Sequence, residues 1–529
     1  MATPIPGTFA PLRQAVFRML WLAWLAANLT MWMNDVAAAW LMAELTDSAT
    51  LVALVQAAST LPVFLLGLPS GALADIVDRR RYLAVTQLWI ACIALVLAVL
   101  SLTGVLNAWT LLALTFANGI GLAMRWPVFA AIVPEVVSRQ YLPAALALNA
   151  ISMNASRVVG PIVAGALLAS AGSAAVFALN ALLSAAAFVI VLRWRRVPQA
   201  STLPGERLLG AMRVGLQFVR QTPALRALLL RAVMFFVQCT ALIALLPLLA
   251  RRFDGSAGTF TLLLAAMGVG AVAAGVVVPG LRRRWSAQQV TAVGVVLYGA
   301  ASVTMAIASN LWVAAPAMVA AGMGWLSTAN TLMVSAQLVL PNWVRARGMA
   351  VMQVATMGGT ATGALLWGQV ATWSSVSVAV AASALVAPLL LLAMARWTVR
   401  VPGDEEVQPS PAPVTPTAAF EVDPLAGPVL VTVEYDIDPE RAAEFMEIME
   451  ATRQARLRLG TLQWNLMRDS ADPSRFVECF MDENWTEHLR RLQRFTVADK
   501  KLREQRLSFH VGSEPPLVRR LIGTGSPLP

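Results

Sequence analysis

The first 400 residues contain no histidine, no lysine and eight carboxylates, and Asp35 alone among those carboxylates sits well inside an apolar run. Asp75, Asp78, Glu135 and Glu206 fall in or beside breaks between runs, and Glu44, Asp47 and Asp254 fall at the opposite ends of their runs. A charge held in hydrocarbon is costly and marks a transport path more often than a structural element. The candidate partners for Asp35 are Arg125 and Arg157, which also lie within apolar runs. Apolar surroundings favour the protonated acid, and an approaching guanidinium favours the carboxylate. Asp35 is therefore the candidate proton-binding group, its charge set by which of the two surroundings prevails. Asn34, Asn118 and Asn154 add amide groups on the same runs, suited to a proton path or a small substrate.

Helical spacing puts Asn28, Met31, Asp35 and Met42 on one stripe of the first run. Asn118, Arg125 and Phe129 align on the fourth run, Asn149, Met153, Ser156 and Gly160 on the fifth, and Ser327, Asn330, Val334 and Gln337 on the tenth. Such faces suit a cavity for amphipathic molecules, since methionine adapts to varied shapes. Asn and Ser also serve as polar glue between helices.

The elements that position these groups follow from hydrophobicity. Of the 529 residues 58% are hydrophobic and 13% charged, whereas a soluble chain carries about a quarter charged residues. Twelve apolar runs reach the ~20 residues that span a bilayer, with the first near 17–43, the fifth near 143–170 and the sixth near 173–193. Residues 1–400 carry 25 arginines against 8 acids, a net +17, and residues 401–529 carry a net −6. With the N-terminus inside, 20 arginines fall on the inner side and only Arg251 and Arg252 on the outer side. That bias predicts cytoplasmic N- and C-termini. It also assigns the positive charge to membrane orientation, not to nucleic acid. The predicted fold is an all-α membrane protein of twelve transmembrane helices in two six-helix halves, 1–193 and 226–400. No short apolar core with a small-residue cleavage site opens the chain, so no cleaved leader is expected.

Between the halves, 194–225 carries Leu208, Met212, Leu216 and Val219 at helical spacing, with Arg207, Arg213 and Arg220 between them. This predicts an amphipathic helix lying on the inner leaflet or solvated as a linker. A proline-rich linker, 401–428, leads to a small α+β domain at 429–523. There Val429–Ile437 alternates as a strand, Pro439–Leu459 reads as a helix, and Thr461–Arg468 with Arg475–Met481 reads as a hairpin. Trp485–Arg506 reads as a second helix and Leu507–Val511 as a final strand. This order is ferredoxin-like. Cys92, Cys239 and Cys479 lie far apart, so no disulfide or metal site is predicted. No catalytic constellation and no cofactor is predicted either.

The segment from Gly71 through Asp75 and Asp78 to Arg79, Arg80 and Arg81 resembles the signature loop of the major facilitator superfamily, with Ile76 in place of a basic residue and Asp78 in place of a glycine. In that family the loop helps hold one face of the transporter shut. The fifth run carries Arg157, Gly160, Pro161 and Gly165, which is similar to the glycine–proline motif of family exporters. There glycines permit close helix approach and proline a bend. Gly280 to Arg284 and Gly358, Gly359 and Gly363 are the second-half counterparts, as expected of internal repeats. Together with Leu61-Pro62, Pro134-Glu135, Arg139, Asn149 and Asn154, these residues resemble the enterobactin-exporter branch of secretion-type transporters. The resemblance implies a proton-driven exporter of siderophore-like or drug-like molecules in the bacterial inner membrane.

Trp464, Phe476-Val477-Glu478, Trp485 and Glu487-His488-Leu489-Arg490 resemble antibiotic-biosynthesis monooxygenase domains, which often dimerise. Leu492 stands where a second histidine follows in related extensions, so His488 is expected as a lone surface histidine without haem or quinone chemistry. An active enzyme domain and a sensory membrane protein remain rival readings.

Overall fold

The computed structural model describes residues 9–137, 141–194, 208–254, 256–282, 284–341, 343–397, 399, 410 and 418–524. The chain forms two compact units: Met1–Pro204 with Leu229–Met333 and Met352–Trp397, and Gly205–Leu228 with Val334–Val351 and Thr398–Pro529.

The first unit is helical. Its helices are α1 (Ala15–Leu45), α2 (Ala49–Ile76), α3 (Arg79–Leu102), α4 (Ala108–Val136) and α5 (Leu142–Arg193), followed, beyond α6 (Leu208–Gln221) of the second unit, by α7 (Pro223–Ala250), α8 (Ala257–Leu281), α9 (Ala287–Ile307), α10 (Leu311–Val339), α11 (Arg345–Trp373), α12 (Val376–Ser383) and α13 (Val386–Arg396), with the start of α7, the end of α10 and the start of α11 counted in the second unit. Short polar residues set the starts: Ser48, Asp78, Asn107, Ser256, Ser286 and Ser375 each accept the third backbone N–H of the helix that follows. These side chains satisfy donors that the helix leaves open.

Among the described residues ten helices are long and apolar enough to cross a membrane, fewer than the twelve runs expected. The difference has a local cause in α5, which counts 52 residues. That is more than twice the ~20 residues that span a bilayer. Gly172, at φ 78° and ψ 179°, breaks it into two helical stretches, 142–171 and 173–193, which correspond to the fifth and sixth runs. α4 adds a 29-residue apolar helix.

Glycines decide how closely helices approach. A Cβ at Gly160 would sit 2.6 Å from the Trp32 Cβ of α1. In the second half Gly359 and Gly363 of α11 meet the Val233 and Val237 carbonyls of α7 at 2.9 and 2.8 Å in the same sense. The α5–α1 contact of one half is thus repeated as the α11–α7 contact of the other, as in repeat-built transporters. Gly165 faces the Thr261 side chain of α8, where the halves touch.

The second unit holds α6, residues around the α10–α11 turn and an α+β domain. That domain runs β1 (Val429–Asp436), α14 (Ala442–Arg458), β2 (Gln463–Arg468), β3 (Arg475–Asp482), α15 (Trp485–Gln493), α16 (Val497–Leu507) and β4 (Leu517–Ile522). The antiparallel sheet is ordered β2-β3-β1-β4, the ferredoxin-like arrangement. Val429, Val431, Val433 and Tyr435 alternate inward onto Phe445 and Met449.

Two details differ from expectation. The expected helix over Trp485–Arg506 is two helices, because Thr496 and Asp499 form a capping box that starts α16. The expected strand at Leu507–Val511 is instead the end of α16 and a single bridge, Ile437 to His510. Leu507 and Phe509 plug the core, and Leu517–Ile522 supplies the edge strand on β1.

Candidate functional site

α1 brings a partly accessible stripe to the first unit: Leu25, Leu29, Trp32, Asp35 and Ala39. Asp35 lies one turn beyond Trp32 on this face, at i and i+3. The expected stripe is corrected here. Met31 is partly accessible, but Asn28 and Met42 are fully buried in the bundle.

Arg157 of α5 reaches this stripe. Its guanidinium carbon lies 5.3 Å from the Trp32 ring and 4.6 Å from the ring of Trp325 on α10. Its buried Nε has no hydrogen-bond partner among the described residues. A cation between two indoles is held by their ring quadrupoles. Since α1 and α5 belong to one half and α10 to the other, the guanidinium bridges the halves.

Arg125 takes a different position. It is fully buried, donates from Nη1 to the Ala27 carbonyl at 2.9 Å, and lies 5.5 Å from the Trp24 ring. Phe129 stacks on that same Trp24. No ion pair to Asp35 from either arginine is present among the described residues. The expected pairing is therefore not formed in this conformation, because a backbone carbonyl and indole faces hold the two cations.

Behind α1, Asn34, Asn118, Thr30 and Asn180 line a small polar cleft closed by Ile90, Ala94 and Leu122. Both amide atoms of Asn180 are buried without a partner among the described residues, as is the amide nitrogen of Asn34. Sequence reading brings out Asn34 and Asn118 but not Asn180, which lies in a run otherwise read as apolar. Asn154 is exposed on α5 and does not join this cleft.

The loop residues have local roles here. Asp78 caps α3, accepting the Arg81 N–H at 2.9 Å. Arg80 donates to the Leu192 carbonyl near the end of α5, where a cation complements the helix dipole. Arg231 does the same for α13 through the Met394 and Trp397 carbonyls. Arg79 lies in the first turn of α3. Gly71 and Asp75 lie in α2, and the surroundings of both are outside what is described. Arg139 and Arg283 are outside them too, as is most of the proline-rich linker.

At the other end of the bundle the halves meet through Arg251 and Asp47, which the sequence places on the outer side without pairing them, and through Thr50 and Thr372, which it does not single out. Arg251 donates to the Ala43 carbonyl at 2.7 Å and to Asp47 at 3.0 Å. Thr50 on α2 hydrogen-bonds Thr372 on α11 at 2.7 Å and donates to the Gly368 carbonyl at 3.2 Å. These bonds tie the α1–α2 end to the α7–α8 turn and to the end of α11.

His488 in the α+β domain is not the surface histidine expected. It is 1% exposed, contacts Asp482 through Nδ1 at 2.8 Å, and stacks on Trp485. Burial pushes its pKa below the ordinary histidine value against the pull of Asp482. Burial alone would raise Asp482, but Arg491 and His488 hold it at about 2. Beside them Glu478 accepts from Arg456 at 2.9 Å, Trp464 at 3.0 Å and Tyr435 at 3.1 Å. Glu478 with Arg456 and Asp482 with Arg491 pair inside the domain, while the buried Nε2 of His488 has no hydrogen-bond partner among the described residues. Among the described residues no cluster of His, Cys, Asp or Glu has a metal-binding arrangement.

Comparison with known proteins places this architecture. The family model of the transmembrane secretion effector matches residues 6–527. An uncharacterised MFS-type transporter, YfiS of Bacillus subtilis, is 30% identical over 39% of this chain and 49% of its own length. Macrolide efflux protein A of Streptococcus pyogenes is 24% identical over 45% of this chain and 59% of its own. The chain thus spans about half the length of the curated relatives it matches. Among solved structures, a bacterial homologue of the human lysosomal transporter Spinster, in an inward-facing conformation, superposes with a TM-score of 0.59 at 15% identity, over 73% of this chain and 96% of that one. The nucleoside transporter NupG gives 0.58 at 11% identity, over 73% and 100%. At these identities the structures share the fold. The chain belongs to the transmembrane secretion effector family, multi-pass membrane transporters of the major facilitator superfamily.

Proposed function

We propose that this protein is a proton-coupled exporter of small amphipathic molecules, drug-like or siderophore-like, working by alternating access across twelve spans of a bacterial inner membrane with both termini in the cytoplasm. The observation that carries the reading is Asp35, a partly accessible intramembrane carboxylate one turn from the Trp32 that holds Arg157. The macrolide efflux relatives support the direction and the amphipathic class. The break of α5 at Gly172 and the length of α4 support the count of twelve.

In this reading Asp35 takes a proton while Arg157 rests between the two indoles, and the halves are latched. Loss of the proton restores a carboxylate one turn along α1. The guanidinium is then drawn toward it and away from Trp325, and the latch between the halves weakens. A ligand can change such an equilibrium only by its differential affinity for the two states, and the proton has one if Arg157 exchanges partners.

The test is flux in proteoliposomes under an imposed pH gradient, across macrolides, catecholates and lipophilic dyes. At least one compound is expected to move uphill against its gradient when protons run downhill. Flux unaffected by the gradient for every transported compound would contradict proton coupling.

A further inference from the structure

We propose that the C-terminal α+β domain is a strap that fastens the linker helix α6 to the α10–α11 turn, restraining the ends of α7, α10 and α11 as one body. The argument rests on the second unit alone. The buried stripe of α6 is Val214, Gly215, Phe218 and Val219, while Leu216 is exposed. That stripe differs from the lipid-facing one its sequence spacing suggests, and protein covers it.

Two surfaces supply the cover. From the domain, Glu483 takes the Arg213 guanidinium at 2.6 Å and the Thr461 carbonyl accepts from Gln217 at 2.7 Å. Gly460 lies against Val214; its φ of 111° and the 3.1 Å from its Cβ position to Val214 Cγ2 leave little room for another residue. From the α10–α11 turn, Trp343 meets Phe218 edge to face at 5.7 Å, and the Arg347 Cβ lies 3.0 Å from the Cβ position of Gly215. The domain also reaches that turn directly, through Arg494 over the Trp343 ring at 5.0 Å. Each of the three parts thus touches the other two.

The seam is tied into the interior of the domain. Thr461 gives its carbonyl to Gln217 and its hydroxyl to Asp482 at 3.2 Å. Glu483 follows Asp482 in the chain, and Arg494 also bonds Glu487 and the Leu459 carbonyl. The α6 docking groups are therefore set by the same buried cluster that holds His488 and Arg491. Only Thr222 separates α6 from α7. Fastening α6 therefore ties the chain entering α7 to the α10–α11 turn within the second unit. The strap sets how fast the halves exchange, not what they bind; this last point rests on the transporter reading above.

The test uses the full-length protein in lipid nanodiscs, comparing wild type, Arg213→Glu, Glu483→Arg and the double charge swap. Amide hydrogen exchange is read in α6 and in the α10–α11 turn, without any substrate. Each single reversal is expected to raise exchange at least threefold in both segments, and the swap to restore it. Unchanged exchange, or a rise in α6 that leaves the α10–α11 turn untouched, would overturn the fastening. In proteoliposomes the single reversals are expected to change turnover at least threefold at constant KM, with recovery in the swap. Turnover that stays constant while exchange rises would overturn the restraint. Absence of flux in wild type would instead count against the transport reading, with the exchange result still deciding whether the strap exists.

Discussion

Trp32 of α1 and Trp325 of α10 face the same guanidinium, that of Arg157, from the two halves of the bundle. The contact is weak enough to break in a transport cycle and strong enough to bias it. A desolvated cation–π contact contributes about 2 kcal/mol, against the ~5.5 kcal/mol needed to drive a two-state equilibrium from one extreme to the other.

Removing one indole is expected to shift the access equilibrium by roughly tenfold, the equivalent of about 1.4 kcal/mol. Trp325→Leu removes the face from the second half, whereas Trp325→Phe keeps part of it. The check is the distance distribution between spin labels on the α1–α2 and α7–α8 turns. The Leu variant should show a larger population of the long distance, with Phe in between. Identical distributions in all three would mean that the guanidinium does not latch the halves.

Glycine contacts give a steric prediction with an internal control. Gly160→Ala places a methyl 2.6 Å from the Trp32 Cβ, and Gly363→Ala places one 2.8 Å from the Val237 carbonyl. Overpacking of this kind costs typically about 1–3 kcal/mol. Both variants should lower the apparent unfolding temperature in detergent. Gly280→Ala, with nothing within 4 Å among the described residues, should leave it unchanged. Equal effects at all three positions would contradict the packing argument.

Much of this was legible in the sequence, and the exceptions have physical reasons. Apolar run length announced the helices, and the lone intramembrane carboxylate announced Asp35. Gly160 stood out because small residues mark close helix approach. Trp32 and Trp325 could not be distinguished from aromatic residues facing lipid, since their role depends on a cation from a distant segment. Arg125 looked like a partner for Asp35 because its true acceptor, the Ala27 carbonyl, is backbone and carries no sequence signal. The buried stripe of α6 was missed because an amphipathic helix reads the same whether lipid or protein covers it. The break between α15 and α16 was readable in Thr496 and Asp499, whose spacing is that of a capping box.

The α+β domain carries a pH prediction. Burial pushes Glu478 up, but Arg456 and Arg506, with hydrogen bonds from Arg456 and Trp464, hold it at about 2 against an ordinary 4.5. A carboxylate depressed in the folded state contributes stability that is complete above its unfolded value and is lost as pH falls through the folded one. Hydrogen-exchange protection of β1 and β3 should therefore be constant at neutral pH and decline between about 4.5 and 2. Glu478→Gln leaves Arg456 buried without its counter-charge, which typically costs about 3–5 kcal/mol. That variant should show reduced protection already at neutral pH. Protection equal to wild type would contradict the role of the pair.

The most direct test of the account is uphill flux driven by a pH gradient in proteoliposomes, with wild type and Asp35→Asn measured side by side. The account predicts that the Asn variant still binds substrate and moves it down its own gradient, but no longer responds to the proton gradient. An Asp35→Asn protein that keeps its full dependence on the pH gradient would contradict the assignment of the proton site to Asp35.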